Sequence, residues 1–89
     1  MKIEFDLEKS QKNRVDRGFD FAFAARIFDK PALLIADDRM DYGEVRTIAV
    51  GEIEGKIYKV VFTDRGKVRR IISAHRASRQ EIRRWRMSE

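Results

Sequence analysis

Hydrophobic positions follow two different periods along this chain. Phe21, Ala24, Ala25 and Phe28 recur at i, i+3, i+4 and i+7, which puts them on one face of a helix beginning at Asp20. Pro31 ends that helix, because proline lacks an amide donor and disfavours helical geometry at Lys30. Ahead of it, KIEF reads as a short extended segment. A mostly polar helix follows, N-capped by Asp6, running to about Arg17 and stopped by Gly18.

The period then shortens to that of a strand. VRTIAV, KIYKVVFT and VRRIIS are rich in β-branched and aromatic residues, and EIEG and DRG between them are short enough for hairpins, so an antiparallel meander is expected. ALLIA reads as an extended connection or edge strand, and DDRMDYG as a solvated loop closed by glycine. From about Arg76 the pattern becomes helical again. Ala74, Ala77, Ile82 and Trp85 form a ragged apolar face, and Arg76, Arg79, Arg83 and Arg86 a basic one. The order α-α-β-β-β-α predicts a small α+β domain spanning residues 1–89, with N-terminal helices, an antiparallel sheet covered on one face, and a C-terminal helix.

Composition narrows the chemistry. The 89 residues suit one modest core. Charged residues make up 39% of the chain, and no apolar run approaches the roughly 20 residues that span a bilayer, so a cytoplasmic protein without membrane contact is expected. With no cysteine and a single histidine, neither a disulfide, a structural metal nor another cofactor is expected. The charge is unevenly placed. Up to Asp64 there are eleven basic and thirteen acidic side chains, net −2; from Arg65 onward there are nine and two, net +7, and all but one of those nine are arginine. Arginine pairs bidentately with phosphate and stacks on bases, which points to nucleic acid, with an acidic protein partner as the alternative.

The familiar phosphate-loop, dinucleotide, zinc-protease and hydrolase-elbow motifs are absent. Ser73 near a lone histidine lacks a recognisable oxyanion loop. Ribonuclease chemistry asks for less, since RNA carries its own 2′-hydroxyl nucleophile and needs only a base, an acid and cations around the phosphate. His75 has the right ordinary pKa for proton transfer, or is a surface histidine. Glu44 and Glu81 are candidate bases, and Arg46, Arg65 and Arg70 lie on or beside the strands as candidate phosphate ligands. Arg76, Arg79 and Arg83 are candidate RNA contacts, and Trp85 either stacks a base or anchors the last helix. Asp37, Asp38 and Asp41 lack the glycine and distal glutamate of a calcium loop.

The ordered set FDLEK, Asn13, RGFDF through IFDKP, DDRMDYGEVR, VVFTDRG and RIISAHRASRQE resembles BrnT, the toxin of BrnT/BrnA toxin-antitoxin modules, across nearly the whole chain. The resemblance implies a fold similar to the RelE-like ribonucleases and a toxin that cleaves RNA and stops translation. It also implies a BrnA antitoxin whose ribbon-helix-helix portion binds operator DNA, in a complex of two toxins and two antitoxins. Residues that keep the family pattern include Lys9, Glu44, Arg46, Arg65, Arg70 and Glu81, with Lys9 expected to contact RNA. The chain departs from it at Phe5, where the family usually has tryptophan, and at Arg17 and Met40, where histidine is common. In the ISAR motif His75 replaces the arginine. A protonated His75 would stand in for that cation, or His75 would act as an acid or base, with a rate optimum near its pKa. A non-catalytic binding subunit is the alternative to both.

Overall fold

A computed structural model describes residues 1–88. Strand β1 (Lys2–Glu4) leads into α1 (Leu7–Arg17), and α2 (Phe21–Ala24) passes directly into a 3₁₀ turn (Ala25–Asp29). Strands β2 (Leu33–Ala36), β3 (Thr47–Ile53), β4 (Lys56–Arg65) and β5 (Val68–Arg76) follow, and α3 (Arg79–Met87) closes the chain. The five strands form one sheet in the order β1-β5-β4-β3-β2.

Local chemistry sets the element ends. Asp6 accepts a hydrogen bond from the Lys9 amide at 3.0 Å to cap α1, and Gly18, at φ 86°, ends that helix. The β3–β4 hairpin turns through Glu54 and Gly55, both at positive φ, as a two-residue turn matched to strand twist requires. Asn13, one of the family-patterned positions, is buried and donates to the Phe19 carbonyl at 2.9 Å. The Phe21 amide donates to the buried Ser10 hydroxyl at 2.9 Å, so two polar side chains of α1 fix where α2 begins.

The core lies on one sheet face. Phe21, Ala24 and Ile27 pack on Ala49, Ile53, Tyr58, Val60, Phe62, Ile71 and Ala74. Gly51 lets the 3₁₀ turn approach: a Cβ there would stand 2.9 Å from Ile27 Cγ1 and 3.3 Å from Ala32 Cβ. Gly51→Ala should therefore cost roughly 1–3 kcal/mol through overpacking, read as a lower thermal midpoint with native-like circular dichroism. An unchanged midpoint would show that Ile27 moves aside freely.

The structure corrects the sequence reading in four places. The sheet is mixed, because β1 pairs parallel to β5, with Glu4 opposite Arg70. The second helix is one α turn continued as 3₁₀, since four residues hold only Phe21–Ala24 in α geometry before the chain must reach β2. Strand β5 runs on through Arg76, and α3 starts at Arg79. Ser78 and Glu81 set that start as a capping box, each side chain bonding the other's backbone amide. Helices lie on both faces of the sheet: α2 and the 3₁₀ turn cover the core face, whereas α3 crosses the opposite face. There Glu81 meets Lys59, and Trp85 shares a crevice with Pro31, Leu33 and Glu52, the anchoring reading of that tryptophan.

Candidate active site

Strand alternation decides which polar side chains stand together on the face opposite the core. Strict alternation from Arg70 would put Ile72 and Ala74 beside it and turn Ser73 and His75 to the core face. Instead Phe62 pairs with Ile71 and Val61 with Ser73, leaving Ile72 as the extra residue of a β-bulge. Arg70, Ser73 and His75 consequently share a face with Thr63, Val61 and Lys59, their cross-strand partners. Ala74 stays in the core.

At one end of this face two arginines share a carboxylate. Arg46 Nε lies 3.3 Å from Glu44 Oε2 and Arg65 Nη2 lies 3.0 Å from Glu44 Oε1. Both oxygens are engaged, and hydrogen bonding from Arg65, outweighing partial burial and reinforced by Arg46, holds Glu44 below the usual carboxylate range. The Arg46 guanidinium also stacks over the Tyr42 ring at 4.0 Å, and Thr63 donates to the Val45 carbonyl at 2.7 Å, tying the preceding loop to the sheet. Asp37, expected in a solvated loop, is buried. Its two oxygens accept from Arg39 at 2.7 and 2.8 Å, and that pairing lowers its pKa. In the middle of the face Arg70 Nη1 lies 3.3 Å from Glu4 Oε1, a pairing that only the parallel β1 strand makes available.

His75 occupies the other end, bordering a crevice shared with Lys9, Lys12, Asn13 and Ser73. Its Nδ1 is buried without a hydrogen-bond partner. Burial, then the positive charges of Arg17 on α1 and Lys59 on β4, push the imidazole pKa below its ordinary value, opposed by Glu81 on α3. A second N–H at a nitrogen with no acceptor is costly, so the neutral ring is the favoured state. Glu81 has both oxygens occupied: Oε1 accepts from the Ser78 amide at 2.8 Å and Oε2 meets Lys59 Nζ at 3.0 Å. Burial raises its pKa, but these bonds outweigh that and the net shift is downward. Neither Glu44 nor Glu81 is placed as a free base.

The family model for the ribonuclease toxin, BrnT, of type II toxin-antitoxin systems matches residues 5–81. The chain belongs to the BrnT family. No curated protein sequence matches it. Membership of the BrnT family implies an RNA target and an antitoxin partner, and the match runs from just after β1 through the first turn of α3, including Glu44, Arg46, Arg65, Arg70, His75 and Glu81. Among the described residues no helix is long and apolar enough to cross a membrane.

The expected RNA contacts divide. Lys9 lines the His75 crevice, while Arg79 and Arg83 lie on α3 beside Arg86 and Ile82. Arg76 belongs to β5 instead, its guanidinium 5.4 Å from the Tyr58 ring centroid, so the four arginines expected on one helix face do not form a single stripe. Two residues that pair with these side chains escaped the sequence reading. Lys59, a lysine inside the apolar run KIYKVVFT, was its own signal. Glu4 had none, because its role depends on a strand pairing across 66 positions.

Proposed function

We propose that this BrnT-family chain is a metal-independent endoribonuclease whose reacting phosphate lies on the sheet face opposite the core, beside Arg70, with His75 toward one end of that face and Arg46 and Arg65 toward the other. The observation that carries this reading is that Arg65, Arg70 and His75 stand on one face, opposite the core, through the bulge at Ile72, with Arg46 joined to Arg65 through Glu44. His75 acts as base, removing the proton from the 2′-hydroxyl. The 2′-oxygen attacks phosphorus, the bond to the 5′-oxygen breaks, and that oxygen leaves with a proton from water. The products carry a 2′,3′-cyclic phosphate and a 5′-hydroxyl. Arg46, Arg65 and Arg70 stabilise the negative charge that develops on phosphorus oxygens. Glu44 holds the guanidinium groups of Arg46 and Arg65 in position until phosphate displaces it, and Glu81 positions Lys59 and the start of α3. Lys9, Arg76, Arg79 and Arg83 contribute attraction for the RNA backbone.

In the cell such cleavage inhibits translation. The neutralising partner is a BrnA-type antitoxin with a ribbon-helix-helix portion that carries the complex to operator DNA, as two toxins with two antitoxins in the cytoplasm. Residues 1–89 act as one toxin domain of RelE-like fold. The α3 surface around Arg79, Arg83 and Arg86 suits an acidic antitoxin segment.

The test is incubation of the purified protein with a defined single-stranded RNA in EDTA, with analysis of the product ends. Cleavage leaving 2′,3′-cyclic phosphate, and about a tenfold loss in Arg65→Ala, is expected; Arg65 is the more exposed of the two arginines on Glu44, so its share is the smaller. Binding without cleavage by the wild type would overturn the reading in favour of a non-catalytic subunit, consistent with histidine at the ISAR arginine position.

A further inference from the structure

Most arginines of the proposed reacting face already have a carboxylate beside them: Arg46 and Arg65 share Glu44, and Arg70 meets Glu4. Four other cations do not. Arg14 and Arg17 at the end of α1, Lys56 at the start of β4 and Arg76 at the end of β5 surround a crevice of about 570 Å³, and among the described residues none forms an ion pair. The one acid on its rim, Asp20, is spent on capping α2, accepting from the Phe23 amide at 2.8 Å. In the resting protein this crevice, like the α3 surface of Arg79, Arg83 and Arg86, therefore carries positive charge that no carboxylate among the described residues pairs with.

Its apolar wall is aromatic. Phe19 and Phe23, both half-buried, meet the buried Tyr58 edge-on, with ring centroids 5.1 and 5.5 Å away. Cations beside aromatic rings form the combination by which single-stranded nucleic acid is held, phosphates by charge and bases by the rings. Three of the four cations are arginine, whose planar fork suits phosphate. Position adds a second argument. Arg17 borders both this crevice and the smaller one that contains Lys9, Lys12, Ser73 and His75, so the two adjoin at that side chain.

We infer that the crevice between Arg14, Arg17, Lys56 and Arg76 is a subsite for single-stranded RNA, holding nucleotides that flank the one cleaved on the opposite sheet face. The inference rests on the ribonuclease reading above and adds to it a length requirement: RNA must extend past His75 and Arg17 to gain this binding. Short substrates react at the open face alone, and longer ones acquire affinity from phosphates that never take part in the reaction.

The test uses 2′-O-methyl oligoribonucleotides, which lack the nucleophile and so separate binding from cleavage. Fluorescence anisotropy is followed across salt concentrations with a trimer and a decamer, for wild type and for the double variant Arg14→Gln/Lys56→Gln. Both positions are exposed, and equal thermal midpoints would establish that the variant folds. For the decamer, loss of two phosphate contacts should flatten the slope of log affinity against log salt by about 1.4 and weaken binding about 25-fold at 0.1 M salt. For the trimer, the two proteins should match. Equal decamer slopes in the two proteins overturn the subsite, while cleavage by wild type keeps the ribonuclease reading. A variant that loses affinity for polyglutamate but not for RNA assigns the crevice to an acidic protein segment, and also overturns it. Wild type that neither binds nor cleaves RNA overturns both.

Discussion

Arg70→Ala is expected to lower the single-turnover cleavage rate about 10²- to 10³-fold while moving the thermal midpoint by only a few degrees. The two halves of that expectation have separate causes. In the folded protein Arg70 is bound only by a partly exposed pair with Glu4, 3.3 Å away, and such pairs contribute at most about 1 kcal/mol. Its methylene stem stands on the open face opposite Thr63 and not in the core. On the proposed mechanism the same guanidinium faces a phosphorane whose charge has grown, in a site flanked by the buried Val61 and Thr63, where a fixed cation has a larger effect than in water. Arg70→Lys should recover only part of the rate, because an ammonium cannot pair bidentately with the phosphate. Full activity in Arg70→Ala would remove it from the reaction and move the site toward Arg46 and Arg65.

His75→Ala should reduce cleavage by about 10²- to 10⁴-fold with little loss of RNA affinity, the range usual for a positioned general base. The pH profile separates this role from the alternative. Burial, Arg17 and Lys59 favour the neutral ring and place its pKa below the ordinary 6.5, against the smaller opposing influence of Glu81. Activity that requires neutral His75 is therefore lost as pH falls through that lowered pKa, and is already at its plateau at neutral pH. If protonated His75 replaced the family arginine as a phosphate cation, the rate would instead fall as pH rises through the same value. The rate of His75→Ala should not vary with pH across that window. A wild-type profile that declines from pH 5 toward 7, or undiminished turnover in the alanine variant, would refute the base assignment.

The same depression has a consequence for stability. An unfolded chain binds a proton at His75 more readily than the folded one, so between the folded pKa and 6.5 folding stability rises with pH. Acid thus weakens the fold and the activity together. Measuring midpoints alongside rates keeps the two apart.

Much of the architecture was legible because its causes are local. Asp6 and Gly18 bound α1 through a side-chain acceptor and a left-handed residue, both visible within a few positions. The β3–β4 and β4–β5 hairpins follow from short connections containing Gly55 and Gly66 between β-branched runs. ALLIA as an edge strand, with Leu33 opposite Val50, was one of the two readings open. The start of α3 was legible and was missed. SRQE is a capping box, and it outweighs the helical period that the sequence reading began at Arg76.

By itself the sequence determined the elements, the apolar face of the sheet, the asymmetric charge and the family resemblance, because each depends on residue type and short spacing. Only the tertiary structure decided which charged groups meet. A bulge at Ile72 changes the parity of β5 and brings His75 to the face of Arg70. A parallel pairing between the chain's first strand and β5 gives Arg70 its carboxylate, and the crossing of α3 on the second face gives Lys59 to Glu81. None of these has a local signature. Strand register and helix placement are selected by how much apolar surface the whole chain buries at once, and the side chains that carry charge follow the backbone to wherever that selection leaves them.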